Sequence, residues 1–480
     1  MATELVSGTE SHPKVNSVQE FSTDLLRVYY GRLFPYDALF NWLAYGNDPE
    51  SGSEAVDKDF FAKREWSFTI EDDIYIRYQS FKDKKELIAA INKRQPHKID
   101  IGAVFTACPK DHNTVKPELF KTVERELVFD IDMTDYDDIR NCCKGASICS
   151  KCWPYMTMAI KVIDRALRDD FAFRHILWIY SGRRGVHCWV CDPEARSLTN
   201  EARSAVVDYL SIQTGSSENS DKKLKQSFDM PHPMVRRAYT ILEPYFATHI
   251  ADGKGQGLLA RKDRYMKVLN SIPNEFVRTD LYTRWEKEGD SLTGEQRWRQ
   301  LKQATSAPVD TSSQQQQLAK KRKISYAELE SWRVELVFTH CYARLDANVS
   351  KTQNHLLKSA FCVHPKTGRV CVPIDPEDAD NFDPFTVPTV RSLCAEVDAY
   401  DRKMGTTATT TSSTRMDDGD GEDGDGAPAN DVEKIQELEK TSLKDAIDVF
   451  NRTFMNDMWS TIRKGFRSKM DQIDAANVDF

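Results

Sequence analysis

The sequence predicts a mixed α/β (α+β) protein: a core of short strands, a helical subdomain inserted into it, and a cysteine cluster suited to a metal. Three observations predict this. Strand and helix patterns alternate irregularly over residues 17–193, without the regular βαβ order of a parallel sheet. Residues 194–305 are polar and mostly helical in pattern. Strand-like character then returns within residues 326–400, so the core resumes after the insert.

Taken in order, residues 1–16 are polar and read as a disordered N-terminus. Ser17 and Glu20 have capping-box spacing, ahead of Phe21, Leu25, Val28 and Tyr29 at helical intervals. Pro35 opens a second helix carrying Leu39, Trp42 and Leu43, and Gly46 ends it. Strands follow at 65–70 and 74–81 across an Asp72-Asp73 turn, then a helix at 83–93 and a strand at 98–105. The stretch Glu126-Leu-Val-Phe-Asp-Ile-Asp-Met-Thr-Asp-Tyr-Asp-Asp138 begins as a strand and ends as an acidic loop. A helix over 153–168 precedes strands at 176–181 and 186–191, which flank a Gly-Arg-Arg-Gly loop. The helical block 194–305 carries Lys222, Lys223, Lys225, Arg236 and Arg237 in its middle. Residues 306–325 form a low-complexity linker. Strand-like pieces at 361–363 and 369–372 flank a hairpin turn, Pro365-Lys-Thr-Gly368. The acidic tract 404–431 has too few apolar residues to fold. Beyond it, the helical segment 433–480 puts Leu443, Ile447, Phe450 and Phe454 on one face, with Ser442 and Asp445 at its start.

Composition narrows the function. A chain of 480 residues with 40% hydrophobic and 29% charged content is that of a soluble globular protein. No apolar run approaches the roughly 20 residues needed to span a bilayer, and no signal-peptide core is evident, so cytosol or nucleus is expected. Eleven cysteines at irregular spacing are not a disulfide framework. The net charge of −8 argues less against a nucleic-acid partner than it seems, because residues 417–425 alone contribute six acids.

Four groups of residues can do chemistry. Alternation along the acidic strand buries Leu127, Phe129, Ile131 and Met133 together and sets Asp130 and Asp132 side by side on the opposite face. Such a pair suits two Mg²⁺ or Mn²⁺ ions gripping phosphoryl oxygens; an ordinary half-exposed strand with solvated acids has the same pattern. An EF-hand is excluded, since its required sixth-position glycine is Asp135 here. Removing one acid of the group is expected to relieve repulsion and leave stability unchanged or higher. Cys142, Cys143, Cys149 and Cys152 lie within eleven residues and offer four thiolates to a structural Zn²⁺; packed free thiols are the alternative. Cys188 and Cys191 sit in a strand and read as core residues. Ser181-Gly-Arg-Arg-Gly-Val-His187 presents Arg183 and Arg184 as planar forks for phosphate oxygens, with His187 as a further donor, or is a solvated basic hairpin. No Walker loop is present. Farther along, Asp346 offers one more carboxylate, and Lys358, His364 and Lys366 further phosphate contacts.

Several blocks carry a resemblance: Arg32-Leu-Phe-Pro-Tyr36, Asp72-Asp-Ile-Tyr-Ile-Arg-Tyr-Gln-Ser80, Lys98-Ile-Asp-Ile-Gly102, Phe129-Asp-Ile-Asp-Met-Thr-Asp135, Tyr180-Ser-Gly-Arg-Arg-Gly-Val-His-Cys-Trp-Val190 and His355-Leu-Leu-Lys358. In order and in content they resemble the small, catalytic subunits of eukaryotic DNA primases, from about Phe21 to Val397. The resemblance implies the archaeo-eukaryotic primase core with a helical subdomain and a zinc motif at 142–152. It implies Asp130, Asp132 and Asp346 as the catalytic metal triad. Ser181, Arg183, Arg184, His187, Leu356, Leu357, Lys358 and His364 are implied as the nucleotide pocket, with Asp100 near the ribose. Glu65, Tyr75 and Arg77 match positions near the initiating or incoming nucleotide, Glu65 with a catalytic role. The four cysteines match zinc ligands. The expected activity is template-directed synthesis of short RNA primers de novo on single-stranded DNA from ribonucleoside triphosphates. The expected partners are a large primase subunit with an iron–sulfur cluster and the catalytic and accessory subunits of DNA polymerase alpha, in the nucleus and away from membranes. A repair or translesion polymerase on the same fold, and a non-catalytic zinc-containing DNA-binding scaffold, are the competing expectations.

Overall fold

The computed structural model describes residues 21–212, 232–307, 322–412 and 437–478. The Ser17/Glu20 capping box, Lys222, Lys223 and Lys225, most of the 306–325 linker and most of the 404–431 tract lie outside these residues.

Helix α1 (Thr23–Val28) is capped by Ser22, whose hydroxyl accepts from the Leu25 N–H at 3.3 Å. Helix α2 (Tyr36–Ala44) follows Pro35 and ends at Tyr45, in left-handed backbone one residue before Gly46. Strands β1 (Arg64–Thr69), β2 (Tyr75–Gln79) and β3 (Lys98–Phe105), with helix α3 (Lys84–Arg94) between the last two, match the expected elements to within a residue or two at each end. With β4 (Thr122–Glu124) they form one sheet, ordered β2-β1-β3-β4.

A second sheet holds the acidic strand. Strand β5 (Leu127–Asp132) pairs antiparallel with β7 (Gly185–Val190), which pairs with β6 (Ile176–Tyr180). Every pairing in both sheets is antiparallel. Helix α4 (Pro154–Phe171) precedes β6 and buries a continuous apolar face, including Met156, Met158, Ile160 and Ile163. Leu127, Phe129, Ile131 and Met133 are all fully buried, as alternation requires. Cys188 and Cys191 are buried too, and the Trp42 indole N–H donates to Cys191 Sγ at 3.3 Å.

Residues 194–305 contain helices α6 (Asn200–Leu210), α7 (Pro233–Tyr245), α8 (Lys262–Ser271), α9 (Glu275–Glu288) and α10 (Gly294–Thr305), with the short α5 (Pro193–Arg196) just before them. Helix α11 (Tyr326–Cys341) and the short α12 (Ala347–Lys351) return the chain to the sheets.

The strand expectations around the 365–368 turn need correction. Residues 361–363 and 369–372 are not strands; they share one isolated bridge, Val363 to Val370. Phe361 adopts φ +62°, which turns the chain out of extended backbone there. The strands lie just outside, at β8 (Leu357–Lys358) against β3 and β9 (Pro373–Ile374) against β6. The turn itself forms, with the Gly368 N–H donating to the His364 carbonyl at 2.8 Å.

Helix α13 (Val390–Ser412) carries the backbone eight residues past Met404. Helices α14 (Leu443–Phe450) and α15 (Asn456–Val478) close the chain, joined by a π-helical turn, with Leu443, Phe450 and Phe454 buried. Ser442 makes no side-chain cap there; its hydroxyl donates to Glu396 instead.

Candidate active site

One buried charge cluster fixes the head of the acidic strand. Glu126 accepts two hydrogen bonds from Arg64, both 3.0 Å, one from Arg125 at 2.8 Å and one from the Tyr45 hydroxyl at 2.7 Å. None of these side chains meets appreciable solvent. Burial alone would raise the Glu126 carboxyl, but the two guanidinium groups outweigh it and hold it well below the usual carboxylate range. Arg203 of α6 adds a donor to the Glu126 carbonyl at 3.1 Å, tying the insert to the strand.

Four and six residues on, Asp130 and Asp132 emerge on the opposite side from the core. The β5–β7 register sets Asp130 across from His187 and Asp132 across from Gly185. A Cβ at Gly185 would lie 2.4 Å from the Ile131 carbonyl oxygen, so only glycine lets β7 approach this closely. Gly182 holds φ +86°, with His364 Cβ 2.7 Å from where a Cβ would stand. The turn between β6 and β7 thereby brings Ser181, Arg183 and Arg184 over the aspartates.

Around them is a polar cavity of about 260 Å³. Asp130, Asp132, Ser181, Arg183, Arg184, His187, Leu356, Leu357, Lys358 and His364 all line it, joined by Lys98 and His355. Residues from four distant segments therefore meet at one place. Lys98 and His355 are additions that the sequence reading did not single out. Lys98 is legible as the neighbour-but-one of Asp100 on the same strand face; His355 begins the His355-Leu-Leu-Lys358 block but carries no separate signal.

Contacts inside the cavity are specific. Arg184 Nε donates to the Asp132 carboxylate at 2.8 Å, and the Thr134 N–H and hydroxyl donate to it at 2.8 and 2.7 Å. Asp132 is thus well paired, so its removal forfeits these bonds as well as relieving the repulsion it exerts on Asp130. Burial tends to raise its carboxyl, but the bonds from Thr134 and Arg184 prevail and lower it. Asp130 lies 3.6 Å from His187 Nε2. Its carboxyl is pushed up to about 6, first by burial and then by the Asp132 charge, with Lys358 acting the other way. His187 and His364 are both lowered to about 3, by burial first and then by Lys358, so both are neutral near pH 7. Lys358 Nζ donates to the Ser181 carbonyl at 2.7 Å.

The other predicted residues stand around this cavity rather than in it. Asp346 is exposed and caps α12 by accepting the Asn348 N–H, while its own N–H donates to the Asp130 carbonyl at 3.1 Å. The third carboxylate is therefore tied to the acidic strand through backbone. Asp100 is buried, accepting from Lys98 at 3.0 Å and from the Ser67 hydroxyl at 3.2 Å. Glu65 is fully buried and grips Arg77 through two bonds of 3.0 and 3.1 Å, so the structure gives it a positioning contact and does not bring it to the cavity. The Tyr75 hydroxyl lies 3.0 Å from the Ser67 hydroxyl, its ring exposed.

The four cysteines converge separately. The Sγ atoms of Cys142, Cys143, Cys149 and Cys152 all lie within 4.8 Å of one another. Gln256 Nε2 donates to Cys142 Sγ at 3.4 Å, and the Cys149 N–H to Cys152 Sγ at 3.2 Å. Donors aimed at sulfur suit thiolates bound to a cation. Gln256 comes from the insert and also donates to the Lys151 carbonyl at 2.7 Å, a link no local pattern announced.

Comparison with known proteins gives the family. The family model described as DNA primase small subunit matches residues 129–376. A DNA primase small subunit from Drosophila melanogaster is 41% identical over 434 residues, covering 90% of this chain and 90% of that one. The chain belongs to the DNA primase small subunit family. Members so named in Schizosaccharomyces pombe and Saccharomyces cerevisiae are 37% and 32% identical, over 82% and 78% of this chain and 81% and 86% of theirs. As a primase small subunit the chain is a nucleotidyltransferase acting in DNA replication, and its two antiparallel sheets with inserted helices are the primase core. The β6–β7 turn, Asp130 and Asp132 all lie within the matched region.

Proposed function

We propose that this chain synthesises short RNA primers de novo on single-stranded DNA, joining ribonucleoside triphosphates under template direction. The observation that carries the reading is the single polar cavity shared by Asp130, Asp132, Ser181, Arg183, Arg184, His187, Lys358 and His364. Its lining offers anionic oxygens and hydrogen-bond donors for phosphate together, as nucleotidyl transfer requires.

Asp130 and Asp132, with Asp346 beside them, are hard oxygen donors that fit Mg²⁺ or Mn²⁺. Such ions, when bound, would activate a 3′-hydroxyl and neutralise the departing pyrophosphate. The chain's own groups do the rest. Arg183 and Arg184 bind the triphosphate oxygens as bidentate forks, and Lys358 adds a point charge. Neutral His187 and His364 donate hydrogen bonds without competing for the aspartates. The Glu126 cluster keeps the acidic strand from shifting as charge accumulates in the cavity. The cysteine cluster fits Zn²⁺ in a closed, structural site, because four protein thiolates leave no position for substrate.

This reading carries with it a large subunit bearing an iron–sulfur cluster, association with the catalytic and accessory subunits of DNA polymerase alpha, and a nuclear location. The test is direct. The purified chain is incubated with unprimed single-stranded DNA, ribonucleotides and Mg²⁺ or Mn²⁺, beside a folded Asp130→Ala control. Short RNA from the unaltered chain alone supports the proposal. Extension of existing ends without initiation would point to a repair polymerase instead.

A further inference from the structure

We infer that the loop 106–121 and the end of β2 form a stacking platform for the bases of single-stranded nucleic acid beside the catalytic cavity. The Tyr78 ring stacks on His112 at 4.0 Å between centroids and 19° between planes, and Phe120 stacks on Phe105 at 4.4 Å and 5°. Tyr78, His112 and Phe120 are only half-buried. Core rings of comparable size, such as Trp66, are fully buried.

The platform is held in place at a cost. Tyr78 has φ +55°, a left-handed conformation that a bulky side chain adopts only when its surroundings impose it. Here a register shift in the β1–β2 pairing coincides with it, and the Tyr78 N–H donates to buried Glu65 at 3.3 Å. The Arg77 guanidinium, gripped by the same Glu65, lies 5.0 Å from the Tyr78 ring centre. The loop is pinned at its neck, where the Thr106 N–H donates to the Lys121 carbonyl at 2.9 Å and the Lys121 N–H to the Thr106 hydroxyl at 3.1 Å. The Lys110 N–H ties it to Ser80 at 3.3 Å.

Its position fits a template path. The strand order β2-β1-β3, with β8 next to β3, puts the Tyr78 strand about 14 Å from the Lys358 strand, three spacings of ~4.8 Å. That is about four stacked bases at ~3.4 Å each. Exposed Lys110, Lys116 and Lys121 make no ion pair among the described residues, and the loop's acids, Asp111 and Glu118, are likewise exposed. With only one net positive charge, the loop must hold its ligand chiefly by stacking. Aromatic rings with a light basic fringe suit a sequence-tolerant single strand better than a duplex backbone.

The inference rests on the primer-synthesis reading, and the experiment separates the two. Binding of a fluorescein-labelled oligothymidylate to the full chain is followed by anisotropy across a salt series, together with the ribonucleotide KM. Tyr78→Leu should weaken binding about 5- to 150-fold, the range for loss of one stacking ring. Tyr78→Trp should bind at least as tightly as the unaltered chain, and the KM should stay within twofold in both. The combined Lys110→Gln, Lys116→Gln, Lys121→Gln variant should flatten the salt slope by up to about 2, at roughly 0.7 per phosphate contact. Unchanged binding in the folded Tyr78→Leu and triple-lysine variants overturns the inference and leaves primer synthesis standing. So does a Tyr78→Trp chain as weak as Tyr78→Leu. Failure of the unaltered chain to bind the oligonucleotide overturns both.

Discussion

Replacing Asp130 with Asn should stabilise the metal-free protein near neutral pH, and replacing Asp132 with Asn should destabilise it. Burial and the neighbouring Asp132 charge raise the Asp130 carboxyl from 3.8 to about 6. At 1.36 kcal/mol per unit, that rise is worth about 3 kcal/mol. Solvent reaches 32% of the Asp130 side chain, and screening brings the figure nearer 1–2 kcal/mol. A carboxyl raised in the fold favours its neutral form. Its contribution to stability is fully present below the unfolded value of about 4 and is lost as pH rises through about 6. Asn cannot ionise, so the Asp130→Asn gain should be absent at pH 3.5 and reach about 1–2 kcal/mol at pH 8. Asp132 has the opposite sign. Its carboxyl is lowered, so its contribution is present above the unfolded value and disappears as pH falls through a still lower folded value. Asn at that position weakens the bonds from Thr134 and Arg184, at a cost of about 1–2 kcal/mol. Thermal unfolding in chelator from pH 4 to 8 reads both effects. If the two variants shift Tm in the same direction at pH 8, or if the Asp130→Asn gain is the same at pH 4 and 8, the electrostatic reasoning is wrong.

Glu126→Gln should be far more damaging, because it takes from buried Arg64 and Arg125 the carboxylate both bond directly; a loss of about 3–5 kcal/mol is expected, read as a large fall in Tm or in soluble yield. The cysteine cluster should hold one zinc per chain by elemental analysis of protein purified without added metal, and Cys149→Ser should lower both zinc content and Tm. Active protein with zinc near zero would refute the assignment. Arg184→Lys keeps the charge but loses the fork, so it should still raise the ribonucleotide KM several-fold. A KM unchanged in Arg184→Lys and Arg184→Ala, with a flattened salt dependence of single-stranded DNA binding, would move this hairpin from nucleotide to template.

Much of the site is legible in the sequence because it sits on regular local structure. Period-two alternation over residues 127–133 specifies which side chains face the core, and so puts Asp130 and Asp132 together on the other face. Gly182 and Gly185 mark a tight turn between two apolar strands, and four cysteines within eleven residues need little help to meet. Local pattern misleads at 361–372, where apolar residues read as paired strands but φ +62° at Phe361 leaves a single bridge.

Sequence by itself therefore determined the acidic strand, the basic turn, the thiol cluster and the mixed architecture, since each follows from the periodicity or spacing of near neighbours. Tertiary structure alone decided the partners. It brought Lys98 and His355 into the cavity, set Arg184 on Asp132, enclosed Glu126 between Arg64 and Arg125, and aimed Gln256 at Cys142. The physical reason is that a side chain's period reports which way it faces, whereas its hydrogen-bond partner depends on which distant segment packs there. Buried charges must find such partners or the fold does not form.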